Sequence, residues 1–412
     1  MRTIAGHTEV VLALASPRRE SRLLVDATGH ILAAPATSRL SIPPFDNSAM
    51  DGFIAHDADL GGEGPWTLPV AGDIPAGAQP VDCPPGAAVR VMTGAAVPRG
   101  GDLVVIPVEQ TDVAAGPVPL PETVTIHART PGRSHIRRAG GDIAPGDVVA
   151  EAGTVCDAAT VAALVSAGVR EVEVFARPTV AVITTGDELV SWPDTPEGAT
   201  IPNSNLPMLA RIAKDAGAAS VVELHAGDRA GGEHDFRRVL ERAASQYDVV
   251  VTSGGVSAGA YDVVKEVTAG ATMWFGHVAQ RPGGPQGVGS WGSTPLVCLP
   301  GNPVAAFVSA HLYLWPLVRA AAGHTTGLRL NERAHIRARI GDGFPQPHPE
   351  LERVVPVTVT FGPEGARAAA FSARAGSHMV GSLAGVNGFA VLPAGARGAE
   401  PAPEADVWLT RL

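Results

Sequence analysis

Two runs of this chain end a continuous apolar stretch on small hydroxyl or glycine residues. Val182-Ile183-Thr184 runs into Thr185-Gly186-Asp187-Glu188, and Asp248-Val-Val-Val-Thr252 runs into Ser253-Gly254-Gly255-Val256-Ser257-Ala258-Gly259. Open parallel sheets bind ligands outside the carboxyl ends of their strands, so both runs are candidate binding edges. In the second, glycine lets backbone N–H groups approach an anion, and a helix starting near Tyr261 adds its positive end. The same run is equally compatible with an ordinary strand-to-helix turn. Asp187, Glu188, Asp228 and Asp262 fall on expected loops after strands of this region. Singly each reads as a cap or a solvated acid. Grouped at one sheet edge they suit a nucleotide-bound Mg2+, which takes one or two carboxylates and completes its shell with water and phosphate oxygens.

Two rigid turns lie further on. Leu299-Pro300-Gly301-Asn302-Pro303 directly precedes an apolar helix, Val304 to Leu317, whose first amides could hold an oxyanion. Taken by itself it favours a plain helix start with a well-placed Asn. Arg281-Pro-Gly-Gly-Pro285 is the second turn. Pro43-Pro-Phe-Asp-Asn-Ser-Ala-Met-Asp-Gly52 mixes polar and acidic groups with Phe45 and Met50, as segments that line a site or a subunit contact do. His225, His277 and His378 lack metal-ligand spacing and read as structural or surface residues. Cys83, Cys156 and Cys298 lie far apart without CxxC pairing, and are expected to be buried free thiols.

The elements that must position these residues fall into distinct stretches. Ala5 to Leu32 has helix-like spacing, giving one or two helices. From Ser41 to about Gly140, short runs such as Val89-Arg-Val-Met92 and Leu103 to Val108 sit between Gly and Pro clusters and form a β-rich lobe. Gly140 to Asp147 is a turn, and Ala158 to Ala167 a short helix that returns the chain to its first domain. From Arg177 onward apolar strands alternate with helices: Thr179 to Thr184, helix Pro207 to Ala216, Ala219 to Leu224, helix Asp235 to Ala244, Asp248 to Thr252. That pattern is a doubly wound α/β domain. Short alternating runs after Asn331 predict a small β-barrel-like domain. The expected division is 1–40 with 140–176 as an interrupted first domain, 41–139 as the inserted β-rich lobe, 177–325 as the α/β domain and 326–412 as the barrel.

The totals agree with a multidomain globular chain. Its 412 residues exceed what one core sustains, and 45% apolar with 17% charged residues can fill several. A formal charge of −10 disfavours nucleic acid as a partner. No charged-then-apolar leader opens the chain and no uninterrupted apolar run reaches the ~20 residues of a membrane span, so a cytoplasmic enzyme is expected.

In order and spacing, Pro43 to Gly52, Arg90-Val-Met-Thr93-Gly94, Thr184-Thr-Gly-Asp-Glu-Leu189, Ser253-Gly-Gly-Val-Ser257 and Leu299-Pro-Gly-Asn-Pro303 resemble the molybdopterin molybdenumtransferase family, MoeA and the C-terminal domain of gephyrin among them. The resemblance runs from about residue 5 to residue 410. It implies an elongated four-domain homodimer with its active cleft between subunits. It also implies an activity: adenylylated molybdopterin and molybdate, with Mg2+, give molybdenum cofactor and AMP. Carried over residue by residue, it implies catalytic roles for Asp51, Thr93, Glu188 and Asp262, with Asp187, Glu188 and Asp262 at the metal. Substrate contacts fall to Ser253, Gly254, Gly255, Ser257, Asp228, Arg281, Pro300, Gly301, Asn302, Arg353 and Ser377, the arginines and Ser377 toward molybdate or the pterin phosphate. Transient contacts with the molybdopterin adenylyltransferase and with molybdoenzyme apoproteins follow from the same resemblance. Two departures stand out. Gly284 replaces the second lysine of the family's Lys-Pro-Gly-Lys-Pro, and Ala305 replaces a serine. Alternatives from other classes are a non-catalytic pterin-binding scaffold of the gephyrin type, which the retained acids oppose, and the adenylyltransferase, which the chain's length and β-lobe oppose.

Overall fold

The computed structural model describes residues 1–227, 235–256, 263–340, 344–363, 365–370, 379–395 and 404–410. They form two compact units, one of residues 21–173 and one of residues 1–20 with 174–412.

The larger unit is built on a six-stranded sheet. Its strands are β1 (Thr179–Thr185), β2 (Ser220–Ala226), β3 (Val249–Ser253), β4 (Thr272–His277), β5 (Pro285–Trp291) and β6 (Thr294–Leu299), in the order β2-β1-β3-β6-β5-β4. The first four neighbours run parallel and the β4–β5–β6 edge is antiparallel. β1 and β3 are runs of β-branched residues because both faces of their strands are covered. Helices α1 (Asn205–Asp215), α2 (Phe236–Gln246) and α3 (Val263–Thr268) lie between strands, and α4 (Pro303–Ala321) follows β6. On one face Leu209, Ile212, Val251, Tyr313 and Leu317 share a core. On the other, Phe236, Leu240, Val250 and Cys298 do. The chain enters at β1, passes to β2 on one side, then to β3 on the other, so the topological switch point lies between β1 and β3. That is where such sheets open a crevice.

A second sheet closes on itself. Strand Glu352–Gly362 pairs with Gly365–Ala370, that with His335–Ile340, then Glu404–Leu409, then Gly388–Leu392, which returns to Glu352–Gly362. This is a five-stranded barrel filled by Val357, Val359, Ala390, Leu392 and Val407. In the smaller unit, strands Leu103–Pro107, Gly52–His56, Ala88–Val91, Trp66–Ile74 and Thr123–Ile126 form one sheet, in that order. Phe53 and Ile54 enter cores on its opposite faces.

The chain differs from expectation near its start. Helix Ile4–Leu12 is followed not by a second helix but by strand Arg19–Leu23, which pairs with Glu171–Phe175. The sequence Arg-Glu-Ser-Arg-Leu alternates in exposure, a strand's period that charge had obscured. Tyr261, near which a helix was expected to start, lies outside the described residues, and the helix is described from Val263. By length and composition α4 could cross a membrane, yet 78% of its 18-residue apolar window is buried inside the protein, as in the central helix of a core. All three cysteines are free and buried, and burial pushes the Cys83 thiol up to about 11 and Cys298 to about 12.

Candidate active site

Three turns meet at the carboxyl edge of the sheet, after β1, β3 and β6. Gly254 adopts φ +106°, and a Cβ there would stand 2.7 Å from Thr185 Oγ1 and 3.0 Å from Thr185 O. A Cβ on Gly301 would lie 3.4 Å from Gly254 Cα. Thr185, Gly254 and Gly301 are therefore packed in close contact, a floor on which the two glycines present no side chain and leave a flat ligand free to rest close to peptide groups.

Beneath the floor the polar side chains are buried, and Ser253 and the Asn205 amide nitrogen are occupied, while Asn205 Oδ1 and Thr252 Oγ1 have no hydrogen-bond partner among the described residues. Ser253, 2% exposed, donates to Pro300 O at 3.0 Å and accepts from Asn205 Nδ2 at 2.9 Å. Its hydroxyl thus supports the floor from below, whereas the sequence suggested a ligand contact. Asn302 is the N-cap of α4, its Oδ1 accepting from Val304 N at 3.1 Å and Ala305 N at 3.2 Å. Ala306 N donates to Asn302 O. With Pro303 lacking an N–H, the start of α4 keeps no spare amide, and the plain helix-start reading is what this turn does. Asn203 and Asn205 were not foreseen. Their only signal in sequence is a polar Asn-Ser-Asn triplet opening an amphipathic helix.

The other rigid turn behaves differently. Gln280 and Gln286 straddle it, 2% and 0% exposed. Gln280 Nε2 donates to Pro282 O at 3.0 Å and Gln286 Nε2 to Gly283 O at 2.7 Å. Both also donate to buried Ser309 Oγ on α4, and Tyr313 donates to Gln280 Oε1. Gly284 O accepts from Val278 N. In a trans peptide C=O and N–H point oppositely, so inward carbonyls at 282 and 283 turn the N–H groups of Gly283 and Gly284 outward. Gly283 has φ +84°. Gly284 does not have a positive φ, and a Cβ there would meet nothing nearer than 3.5 Å.

Arg281 and Arg353, 72 residues apart in sequence (353 − 281), are register partners where the short strand Gln280–Arg281 runs parallel to Glu352–Arg353 of the barrel. With Gln280 turned inward, the arginines share the outer face. Burial and the neighbouring Arg281 charge hold the Arg353 guanidinium below its ordinary range, and its Nε is buried without a partner. Two adjacent guanidiniums beside two outward amides make an anion-attracting seam.

The acids divide among several places. Asp187 and Glu188 are exposed on the turn after β1, Asp187 Oδ1 lying 2.9 Å from where a Cβ on Gly227, just beyond β2, would stand. Among the described residues no three His, Cys, Asp or Glu side chains cluster as a metal site. Asp228, Asp262, Ser257 and Ser377 lie outside the described residues, and Gly255, φ +65°, packs against Val264. In the smaller unit, Asp51 Oδ1 accepts from Thr93 N at 2.6 Å and Thr93 Oγ1 at 2.7 Å. These bonds, the backbone one foremost, hold the Asp51 carboxyl below its usual range. Asp51 and Thr93 are thus one exposed unit, ionised and fixed in direction. In the same loop Asp46 bonds Arg138 and Ala139 N, and Phe45 is exposed.

A doubly wound sheet with a glycine floor at its switch point, joined to a small barrel through a pair of arginines in register, defines a multidomain α/β protein. Comparison with known proteins is specific. Residues 2–168 match the MoeA N-terminal region (domain I and II), 181–320 the probable molybdopterin binding domain, and 337–410 the MoeA C-terminal region (domain IV). Molybdopterin molybdenumtransferase 2 of Mycobacterium tuberculosis is 40% identical over 82% of this chain and 84% of its own. The molybdopterin molybdenumtransferase of Staphylococcus aureus is 32% identical over 94% and 90%. The crystal structure of a molybdopterin biosynthesis MoeA protein from Pyrococcus horikoshii superposes with TM-score 0.80 at 26% identity, covering 99% of both chains. The chain belongs to the molybdopterin molybdenumtransferase family of molybdenum cofactor biosynthesis.

Proposed function

We propose that this chain inserts molybdenum into the molybdenum cofactor, taking adenylylated molybdopterin and molybdate and releasing AMP. The observation that carries this reading is the close-packed floor of Thr185, Gly254 and Gly301 at the sheet's switch point, in a chain of this family. Two Mo–S bonds form as two Mo–O bonds break, the departing oxygens leaving as water. One water is consumed in cleaving the phosphoanhydride, giving AMP and the terminal phosphate of molybdopterin. No protein nucleophile is required.

The residues contribute position and charge. The floor orients the adenylylated pterin. Arg281, Arg353 and the amides of Gly283 and Gly284 hold the oxyanion through charge-assisted hydrogen bonds, preorganised by the buried glutamines. The Asn302 cap and Ala305 lie one to two turns from Ser309 on α4, about 10 Å at about 1.5 Å per residue, so one helix links floor and seam. Asp187 and Glu188 fit Mg2+ as two hard oxygen donors that leave the rest of the shell to phosphate and water. Bound there, the ion would neutralise charge on the anhydride. Asp51, fixed by Thr93, is an ionised carboxylate suited to orienting a ligand or its metal.

The four-part division of the chain, the homodimer, the cytoplasmic location and the handover contacts with adenylyltransferase and apoenzymes belong to the same proposal. Phe45, exposed in the Pro43 to Gly52 loop, supports an interface there. Light scattering showing only a 42.1 kDa species would remove the dimer. The activity is tested by AMP release from adenylylated molybdopterin with and without molybdate. Release that depends on molybdate is expected. Formation of adenylylated pterin from ATP and molybdopterin would assign the chain to the preparatory step instead.

A further inference from the structure

Asn203-Ser204-Asn205 leads into α1, a position where asparagine ordinarily caps helix amides. Here Ser204 stands at the N-cap without a side-chain cap bond, and only Asn203 Oδ1 takes an amide, Leu206 N at 3.4 Å. The nitrogen ends of both asparagines reach across the sheet edge. Asn203 Nδ2 donates to Thr184 Oγ1 at 2.7 Å, and Asn205 Nδ2 to Ser253 Oγ at 2.9 Å and to Gly301 O at 2.7 Å. Since a carbonyl can only accept, Gly301 fixes which end of the Asn205 amide faces it. Thr184 also meets His225 Nδ1 of β2 at 3.3 Å.

These contacts have a common geometry. Each acceptor is a floor residue or the chain neighbour of one: Thr184 beside Thr185, Ser253 beside Gly254, and Gly301 itself. The turns after β1, β3 and β6 come from stretches of chain far apart in sequence, so only non-covalent ties fix their spacing. Asn203 and Asn205 are buried, 5% and 8% exposed, and are such ties. We infer that Asn205, assisted by Asn203, is the positioning residue of the floor. Asn205 ties the turns after β3 and β6, Asn203 ties the end of β1, and together they govern binding of the adenylylated pterin, while the seam is set separately by Gln280 and Gln286. The identity of the ligand in this inference rests on the function proposed above.

Asn205→Ala and Gln286→Ala, each removing one buried amide, separate the two supports. In equilibrium binding, Asn205→Ala is expected to weaken adenylylated molybdopterin by about tenfold or more while moving molybdate less than about twofold, since misplacement by about an ångström can cost on the order of a hundredfold. Gln286→Ala should do the reverse. A purely structural role would lower both affinities together along with the melting temperature. Asn203→Ala, which cuts only the β1 tie, should show a smaller shift in the same sense and serves if Asn205→Ala does not fold. Amide hydrogen exchange should quicken across 254–256 and 301–302 in Asn205→Ala, across 185–188 in Asn203→Ala, and at none of these turns in Gln286→Ala. Uniform weakening, no weakening in a folded variant, or unchanged exchange at these turns would overturn the inference. If the parent protein binds no adenylylated molybdopterin, the functional reading fails, and the exchange measurement still decides whether Asn205 positions the floor.

Discussion

The floor at the switch point and the seam at the barrel are both held from behind by buried amides, yet they present opposite surfaces. The floor offers glycine backbone: Gly254 and Gly301 exclude side chains, and the Ser253 hydroxyl beneath them is spent on internal bonds. The seam offers charge: two arginines in register, with backbone N–H groups turned outward. On the proposed function, recognition at the floor is expected to depend on shape and to fail when an atom is added, and recognition at the seam to depend on charge, where an added cation should help.

The largest effect is expected from adding one methyl group to the floor. Gly254→Ala places a Cβ 2.7 Å from Thr185 Oγ1 at a φ of +106°, where L residues are strained by about 1–3 kcal/mol. Displacing the turn should reduce AMP release on the order of a hundredfold. Gly270→Ala, at a glycine with open space around it, is the control. Turnover near the parent rate in a folded Gly254→Ala protein would show that the floor is not the ligand face.

Smaller effects, of opposite sign, are expected at the seam. Arg353→Met should raise the molybdate needed for half-maximal release by about tenfold to a hundredfold, because hydrogen bonds to charged groups are worth roughly 1.5–3 kcal/mol. Gly284→Lys should lower it. Gly284 lacks a positive φ and has room for a Cβ, so the substitution should leave the melting temperature unchanged. Unaltered molybdate dependence in a Gly284→Lys protein as stable as the parent would show that Arg281, Arg353 and the amides already saturate the oxyanion.

The comparison also shows how far sequence reaches. The floor was legible because apolar β-branched runs ending on Thr-Gly or Ser-Gly-Gly announce strand ends, and in a doubly wound pattern strand ends are where ligands bind. The supports were not. An asparagine before a helix reads as a cap, and only the fold shows that Asn205 faces Ser253 and Gly301. The pairing of Arg281 with Arg353 is a matter of strand register, which no local pattern encodes. The strand at Arg19–Leu23 was hidden because its alternation is carried by charged rather than apolar residues.

A further effect, on stability rather than turnover, concerns acid. His7 is fully buried between Trp274 and Tyr313, neither ring nitrogen has a hydrogen-bond partner, and Tyr313 in turn holds Gln280 behind the seam. Burial foremost, then the Arg2 charge, lowers its pKa from 6.5 to about 4. The folded state therefore binds fewer protons than the unfolded one between those values. The stability contributed by neutral His7 is complete above pH 6.5 and is lost as pH falls toward about 4. The loss is on the order of 3 kcal/mol by linkage. His324, lowered to about 4 by burial and by Arg319 and Arg177, adds a second share over the same range. His7→Phe keeps a ring against Trp274 and Tyr313 and removes the titration. Denaturant unfolding from pH 7 to pH 4.5 should therefore show a shallower fall in stability for His7→Phe than for the parent, the remaining slope including the His324 share. Parallel curves for the two proteins would mean that His7 finds a proton acceptor in the folded state. The pH dependence would then have to come from His324 and the carboxylates, leaving the seam's support as insensitive to acid as the floor's.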